Sequence, residues 1–276
     1  MALKIHHLNC GSMCPHGKRL LAGSGGWLEP AELCCHCLLI ESADGLVLVD
    51  TGLGTYDVAN PGHLGGAFRA LTRPQLRLEE TALHQLQALG FQAADVRHIV
   101  VTHLDLDHAG GLPDFPDAQV HIFRPEQEAA LHPTLREKAR YRPMHFKHRP
   151  RWVVHENQGE RWFGFDSIRA LPGSADEILL VPLTGHTRGH CGIAVRTAGG
   201  SKDWLMHCGD AYFWRDEVNP AQPYCTPGLR LFQNLVQMDG VQRRTNQARL
   251  LELARNHGGE VELFCAHDPV ELARYG

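Results

Sequence analysis

Four potential metal ligands lie within six residues of this sequence, directly after an apolar run at 98–102 that predicts a buried strand. These ligands are His103, Asp105, Asp107 and His108. Three later segments also place histidine or aspartate just after a predicted strand, and they contribute His186 with His190, Asp210, and His267. A single residue of this kind is more often a turn or helix-capping residue. Ligand-type residues at four strand ends together predict a metal site in a fold that contains β-sheet.

The composition excludes several classes of protein. With 276 residues, 43% of them hydrophobic, the chain can bury a substantial core, which excludes a disordered, collagen-like or coiled-coil protein. A net charge of −4 gives no general attraction for nucleic acid, and no apolar run approaches the length of a membrane span. We expect a cytoplasmic protein that acts on a small molecule, with no nucleic-acid or membrane partner; a homodimer stays open. The nine cysteines are expected to be free thiols.

Short apolar runs alternate with segments of helical periodicity along the chain. Strands are predicted at 4–8, 33–40, 46–49, 98–102, 119–123, 178–181, 192–197, 204–207 and 261–265. Helices are predicted between Pro74 and Gly90, at 125–131 and at 243–257. A turn at 43–45 is expected to join the second and third strands in a hairpin. No repeat or linker divides the chain, so we expect one α/β domain over residues 1–276, with two β-sheets packed together and covered by helices.

The order of these motifs resembles the metallo-β-lactamase superfamily. The pattern is H-x-D-x-D-H, then G-H-T-x-G-H, then G-D and a late histidine, with Val49-Asp50-Thr51-Gly52 upstream. The resemblance extends from about residue 33 to 269 and implies an αββα sandwich of two mixed sheets, with a two-metal centre at one edge. By position, it implies that His103 and His186 bind one metal, that Asp107, His108 and His267 bind the other, and that Asp210 bridges the two. It places His190 where the family has a residue that supports a ligand.

Asp105 and Asp50 are two further aspartates with an expected role at the metal centre. The common form of the family's first motif is H-x-H-x-D-H, and Asp105 stands here in place of the second histidine. The two divalent ions are expected to be zinc, with manganese or iron as alternatives because the Asp105 carboxylate is a harder ligand than imidazole. Asp105 is expected to bind the metal directly or through water. Asp50 is expected to support the metal-binding loop from behind.

The expected chemistry is hydrolysis. Two neighbouring cations lower the pKa of a bridging water, and the resulting hydroxide attacks an ester-like carbonyl while Asp107 orients it or takes its proton. The chain looks most similar to the lactonase branch of the family, which carries a tyrosine three residues after the bridging aspartate. Here Tyr212 lies two residues after Asp210 and Phe213 takes the matching place. We therefore expect Tyr212 to act in catalysis and Phe213 to contact a lactone substrate.

A basic segment between residues 131 and 151 is the expected specificity element. Seven arginine and lysine residues alternate there with histidine and aromatic residues. We interpret the stretch at about 131–165 as an insertion near the metal centre, with Arg140 and Arg142 placed to bind an anionic group of the substrate. A solvated surface loop or a dimer contact is the alternative.

Other functions stay open. The metal centre is also consistent with a thioester or phosphoester hydrolase. Asp105 makes the site similar to the H-x-E-x-D-H form of di-iron redox relatives, but no flavin domain is evident, so a di-iron redox protein is a more distant alternative. A binding module that has lost turnover because of Asp105 is another. Nucleic-acid processing has no RNA-binding arm to support it.

Overall fold

Alternating apolar residues build two six-stranded mixed sheets in the computed structural model, which describes residues 3–156, 159–171, 177–197 and 201–276. The first sheet follows chain order: β1 (Lys4–Met13), β2 (Leu33–Ser42), β3 (Gly45–Val49), β4 (Val96–Val100), β5 (Gln119–Phe123) and β6 (Arg151–His155). The second sheet contains β7 (Glu160–Trp162), β8 (Phe165–Arg169), β9 (Ile178–Pro182), β10 (Cys191–Arg196), β11 (Trp204–His207) and β12 (Val261–Phe264), also in order. Antiparallel pairs begin the first sheet and parallel pairs complete it, whereas in the second sheet β11 and β12 alone are parallel among the described strands.

Helices cover the outer faces and connect the strands. The α-helices are α1 (Lys18–Leu21), α2 (Thr55–Ala59), α3 (Gly66–Thr72), α4 (Ala82–Ala88), α5 (Leu106–Ala109), α6 (Arg124–Leu131), α7 (Pro143–Phe146), α8 (Pro227–Val236), α9 (Gly240–His257) and α10 (Pro269–Leu272). Short 3-10 helices lie at Pro61–Leu64, Leu78–Glu80, Ala93–Asp95, Leu112–Asp114, Glu137–Ala139 and Arg215–Val218. The Asp239 carboxylate caps α9 by accepting from the N–H groups of Val241 and Gln242.

Three apolar layers hold the four structural layers together. Successive strand side chains point to opposite faces, so Leu38 and Ile40 of β2 face the second sheet while Leu39 faces the helices. The central layer lies between the sheets, where Val100 and Ile193 are fully buried. The outer layers pack α4 and α6 on the first sheet and α9 on the second. The predicted αββα sandwich is confirmed.

The structure differs from the predicted elements in two places. The helix predicted after Pro74 is divided, because the Thr81 hydroxyl accepts a hydrogen bond from the His84 N–H and starts α4 there. The stretch at 131–165 was interpreted as an insertion without core strands, yet it contains β6 and β7 and reaches β8. A tight turn with positive φ at Phe163 and Gly164 joins β7 to β8. The hairpin between β2 and β3 is confirmed.

Among the described ranges, no helix combines the length and the apolar character needed to cross a lipid bilayer.

Candidate metal centre

The ligand-type residues predicted from sequence come together in the structure because they follow strands that end at one edge of the sandwich. His103 and Asp105 follow β4, and α5 then carries Asp107 and His108. The second sheet contributes the remaining side chains from the loops after β9, β11 and β12, which are His186, Asp210 and His267. All three are buried, with exposures of 2%, 3% and 2%. Residues that are far apart in the sequence thus meet at one buried site.

The Asp210 carboxylate lies between two pairs of histidines. Its Oδ2 is 3.8 Å from His103 Nε2 and 3.3 Å from His186 Nε2. Its Oδ1 is 3.3 Å from His108 Nε2 and 3.1 Å from His267 Nε2. Each oxygen therefore faces a separate pair of imidazole nitrogens, which is the geometry of a carboxylate that bridges two cations.

Two further carboxylates complete these groups. Asp105 Oδ2 is 3.1 Å from His186 Nε2 and 3.5 Å from His103 Nε2. Asp107 Oδ2 is 3.8 Å from His267 Nε2. We call His103, Asp105, His186 and Asp210 Oδ2 the first corner. We call Asp107, His108, His267 and Asp210 Oδ1 the second corner.

The residues present fit a pair of divalent cations. Donor atoms about 2.0–2.1 Å from a tetrahedral zinc ion lie about 3.3 Å from one another. The separations around Asp210 are 3.1–3.8 Å. Two of the facing atoms, His103 Nε2 and Asp210 Oδ1, are buried and have no hydrogen-bond partner in the described part of the chain. Imidazole and carboxylate are donors that zinc, manganese and iron all accept.

Hydrogen bonds donated by Nδ1 hold three of the histidines with Nε2 toward the centre. His108 Nδ1 is 2.9 Å from Asp50 Oδ2, and His103 Nδ1 is 2.9 Å from Thr102 Oγ1. The Thr102 hydroxyl donates to the same Asp50 oxygen at 2.7 Å. His267 Nδ1 is 2.8 Å from the Cys34 carbonyl oxygen. These contacts fix ring orientation and favour the tautomer that presents an Nε2 lone pair.

His190 supports Asp210 from behind. Its Nδ1 donates to the Leu183 carbonyl at 3.0 Å, and its Nε2 accepts from the Asp210 N–H at 2.8 Å. Gly209 has φ +53°, and a Cβ there would lie 2.5 Å from His190 Nε2. The glycine of the G-D motif is thus required by both backbone conformation and space.

Glu126 connects two ligand-bearing loops, and the sequence analysis did not identify it. Its Oε1 accepts from the Leu104 N–H and the Tyr141 hydroxyl. Its Oε2 accepts from the Thr187 hydroxyl and the Gly189 N–H. Leu104 follows His103 and Thr187 follows His186, so this buried carboxylate sets the distance between the two loops. No sequence signal distinguishes Glu126 from Glu128, the other glutamate of α6.

The electrostatics of the site favour ionised carboxylates. Burial opposes ionisation of Asp210, but the imidazoles of His267, His108 and His186 hold its pKa well below the ordinary value. Burial likewise opposes protonation of His108, and the Asp210 and Asp50 carboxylates outweigh it and raise the pKa of His108. The site therefore concentrates negative charge beside imidazoles, which is the arrangement that attracts cations.

Arg140 from the basic segment contacts the first corner directly. Its Nε is 2.8 Å from Asp105 Oδ1, and its Nη2 is 2.6 Å from Asp105 Oδ2. The same Nη2 is 2.7 Å from His186 Nε2, and Nη1 donates to the Val236 carbonyl at 2.5 Å. Sequence reasoning suggested a substrate anion for this arginine, whereas the structure gives it a protein carboxylate.

A cavity of about 490 Å³ opens beside the two corners. Its wall includes Asp105, Asp107, Arg140, Arg142, His186, Asp210, Phe213 and His267, together with apolar side chains of α3, α8 and the loop that follows α8. The Phe213 ring stacks on His267, with the ring centres 5.0 Å apart and the planes 22° from parallel. Arg142 donates to the Leu64 carbonyl at 2.6 Å. Arg140, Arg142 and Phe213 thus all line the cavity beside the two corners.

The structure corrects the expectation for Tyr212. This side chain is fully buried in the outer layer between the second sheet and α9, and it does not line the cavity. Its hydroxyl donates to Glu271, at 3.3 Å from Oε1. The chain after Asp210 turns Tyr212 into the core and Phe213 toward the cavity, so the tyrosine has no contact with a substrate there.

A third group of ligand-type side chains lies at Asp57, His63 and His145. Asp57 Oδ1 is 2.7 Å from His63 Nε2 and 2.8 Å from His145 Nε2. These are ordinary hydrogen-bond lengths and are shorter than the spacing of donors around a metal ion. The group therefore ties the loop after β3 to α7 by hydrogen bonds.

Comparisons with known proteins agree with this geometry. A family model described as the metallo-beta-lactamase superfamily matches residues 32–200. The probable metallo-hydrolase Rv2300c of Mycobacterium tuberculosis is 43% identical over 99% of this chain and 83% of its own length. The N-acyl homoserine lactonase AiiA of Bacillus thuringiensis subsp. kurstaki is 36% identical over a shorter region, 35% of this chain and 39% of that protein.

Solved structures share the fold. An N-acyl homoserine lactone hydrolase with the product N-hexanoyl-L-homoserine at its catalytic metal centre superposes with a TM-score of 0.73 at 22% identity, covering 99% of this chain and 97% of that one. The dizinc quorum-quenching lactonase AidC, with the same product bound, gives a TM-score of 0.60 at 17% identity over 96% of this chain and 87% of that one.

Proposed function

Because the chain belongs to the metallo-β-lactamase superfamily of metal-dependent hydrolases, we propose that it opens a lactone or a similar ester at the two-cornered centre. The observation that carries this proposal is the position of Asp210, whose two oxygens face separate histidine pairs at 3.1–3.8 Å. A carboxylate in that position holds two cations close together, and most members of this donor set are fixed by hydrogen bonds from behind.

The proposed ligand set follows the two corners. His103, Asp105 and His186 would hold one ion, Asp107, His108 and His267 would hold the other, and Asp210 would contribute one oxygen to each. Zinc is the proposed metal. Manganese and iron are the alternatives, because the Asp105 carboxylate is a harder ligand than the imidazole of the common motif. A pair of divalent cations supplies, when bound, an activated water and a Lewis acid for the substrate carbonyl.

Asp107 is the proposed proton acceptor. It lines the cavity, and its side chain is 14% exposed, so one carboxylate oxygen can reach a water beside the second corner. The attacking water passes its proton to Asp107 as the new carbon–oxygen bond forms. Asp107 then returns the proton to the departing alkoxide when the ring carbon–oxygen bond breaks. The opened molecule carries a free hydroxyl and a carboxylic acid, which becomes a carboxylate by releasing its proton to solvent.

The cavity wall supports a substrate with an apolar chain. Phe68, Leu71, Phe232, Leu235 and Met238 contribute to the wall away from the two corners. A mainly apolar pocket with convergent polar groups at one end is typical of small-molecule sites. Arg142 is the proposed polar contact for the substrate, since Arg140 is engaged with Asp105. The N-hexanoyl-L-homoserine in the lactone hydrolase of the same fold is consistent with this arrangement.

Metal analysis and a substrate panel test the proposal together. The purified protein is analysed for bound metals and then assayed with N-acyl homoserine lactones of short and long acyl chain, a simple ester, a thioester, a phosphodiester and a phosphotriester. We expect two colourless ions per chain and the highest kcat/KM with a lactone. Asp210→Asn is expected to lose both ions and turnover, whereas Glu156→Gln, at an exposed ion pair with Arg124, is expected to keep both.

Other outcomes would redirect or refute the proposal. Faster turnover of a phosphoester or thioester would assign a different hydrolase. Iron with a visible absorption band and no hydrolysis would favour redox chemistry. Full lactone turnover by metal-free protein would exclude the two-cornered centre as the site of reaction.

A further inference from the structure

The first corner already contains a cation supplied by the protein. Arg140 Nη2 lies 2.6 Å from Asp105 Oδ2 and 2.7 Å from His186 Nε2. These two atoms are also 3.1 Å from each other. They are the same donors that the first metal ion requires, so the guanidinium lies against the lone pairs that would bind it.

The contact with His186 is informative because of its direction. A guanidinium has N–H donors and no acceptor, so a hydrogen bond to Nε2 requires the unprotonated face of the imidazole. A metal ion binds through that same lone pair. The His186 Nε2 lone pair therefore serves either Arg140 or a metal ion at full strength, not both.

Both ends of Arg140 are held in place. The fork made by Nε and Nη2 grips both oxygens of Asp105, and Nη1 donates to the carbonyl of Val236 at the end of α8. Bidentate contacts of this kind are among the strongest hydrogen bonds in proteins. The Arg140 side chain is only 10% exposed, so water does little to weaken these hydrogen bonds.

The second corner has no such cation. Within the ranges that the structure describes, no arginine or lysine hydrogen-bonds the side chain of Asp107, His108 or His267. The two corners share Asp210 and a similar set of donors, yet only the first has a positive side chain against its ligands. This asymmetry falls on Asp105, the residue that departs from the common motif of the family.

We propose that Arg140 competes with the first metal ion and so makes the two corners load in sequence. The second corner fills at low metal concentration, and the first corner fills only when an ion displaces the Nη2 contact with His186 and Asp105. The protein therefore passes from a one-ion to a two-ion form as metal concentration rises. This inference rests on the metal centre of the proposed function and concerns its occupancy, not its substrate.

Metal binding without any substrate tests this directly. Metal-free wild type, Arg140→Gln and a control variant of the same segment are titrated with zinc in chelator-buffered solutions, and bound zinc is measured by elemental analysis. Arg136→Gln is the matched control, because Arg136 lies on the same segment and lines the same cavity but donates to the Gln237 carbonyl at 2.6 Å. We expect wild type and Arg136→Gln to bind the second equivalent of zinc more weakly than the first.

Arg140→Gln is expected to lower the Kd for the second equivalent of zinc by about tenfold or more, because it removes a charged group that competes with the ion for its ligands. Unchanged or weaker binding by Arg140→Gln would overturn the inference and make Arg140 a residue that only orients Asp105. Thermal unfolding reports whether the variant folds. Should it not fold, a cobalt titration of wild type decides the point: two separate spectroscopic steps support sequential loading, and one step for both ions contradicts it. Failure of wild type to bind any metal would refute the proposed function instead.

Discussion

Replacing Glu126 by glutamine tests whether one buried carboxylate holds the ligand loops together. Glu126 accepts four hydrogen bonds, from Leu104, Tyr141, Thr187 and Gly189. The amide oxygen of glutamine can keep two of these donors. The amide NH₂ then faces the other two, and although the Thr187 hydroxyl can turn to accept, the Gly189 N–H cannot.

The loss of unfolding free energy expected for Glu126→Gln follows from the number of hydrogen bonds that the amide cannot keep. The Gly189 N–H loses a hydrogen bond to a charged acceptor, which costs about 1.5–3 kcal/mol, and the remaining bonds weaken as the charge disappears. The backbone cannot relax easily, because a Cβ at Gly189 would lie 2.1 Å from the Glu126 nitrogen. We expect Glu126→Gln to lower the free energy of unfolding by about 3 kcal/mol, or Tm by about 6–12 °C.

The measurement uses urea and thermal unfolding of the protein in excess chelator, because bound metal would add its own stabilisation. Glu156→Gln is the control, since it makes the same change at an exposed ion pair with Arg124 and is expected to cost less than about 0.5 kcal/mol. Weaker metal binding by Glu126→Gln would accompany the loss. A change in unfolding free energy below about 1 kcal/mol would refute the role assigned to Glu126.

Two further variants test the outer layer next to the site. Tyr212→Phe removes a hydroxyl that donates to Glu271 and does not line the cavity. We therefore expect kcat to stay within about twofold of wild type and the free energy of unfolding to fall by about 1 kcal/mol. A tenfold loss in kcat would contradict this assignment. Burial raises the pKa of Glu271 from 4.5 to about 7. The folded state therefore favours the protonated acid, and the stability this provides is complete below pH 4.5 and is lost as pH rises to about 7, a change of about 3 kcal/mol. Relative to Glu271→Gln in chelator, wild type should lose unfolding free energy between pH 5 and pH 8; a flat or rising difference would show that the carboxyl titrates normally.

The sequence predicted most strands because their apolar residues are continuous or alternate. It missed β6 to β8 for a physical reason. β6 follows a run of basic residues and begins with Arg151, so its apolar centre was assigned to the same irregular segment. β7 and β8 are short, and their exposed residues include Glu160, Arg161 and Asp166. The two strands form because they pair across a two-residue turn, and the β-strand propensity of single residues does not predict that pairing.

Sequence spacing was also enough to identify the side chains that meet at Asp210, because each follows a recognisable strand. The residues that position them were harder to find. Thr102 and Glu126 are single polar residues without a local pattern, and their importance comes from partners distant in the chain. The partner of Arg140 is Asp105, 35 residues earlier, so sequence suggested an anion without identifying it. Tyr212 was misplaced because a shift of one residue after a strand decides which side a side chain faces.

The position of Asp210 between two pairs of histidines also sets a length scale. Its two oxygens are bonded to one carbon and keep a fixed separation, so cations held one by each oxygen, as proposed above, would have to lie close together. His190 accepts a hydrogen bond from the Asp210 N–H and donates one to the Leu183 carbonyl, so it ties the Asp210 backbone to the end of β9 in the second sheet. Substitutions elsewhere in the cavity wall can therefore change the shape of the cavity while the two oxygens of Asp210 keep their positions.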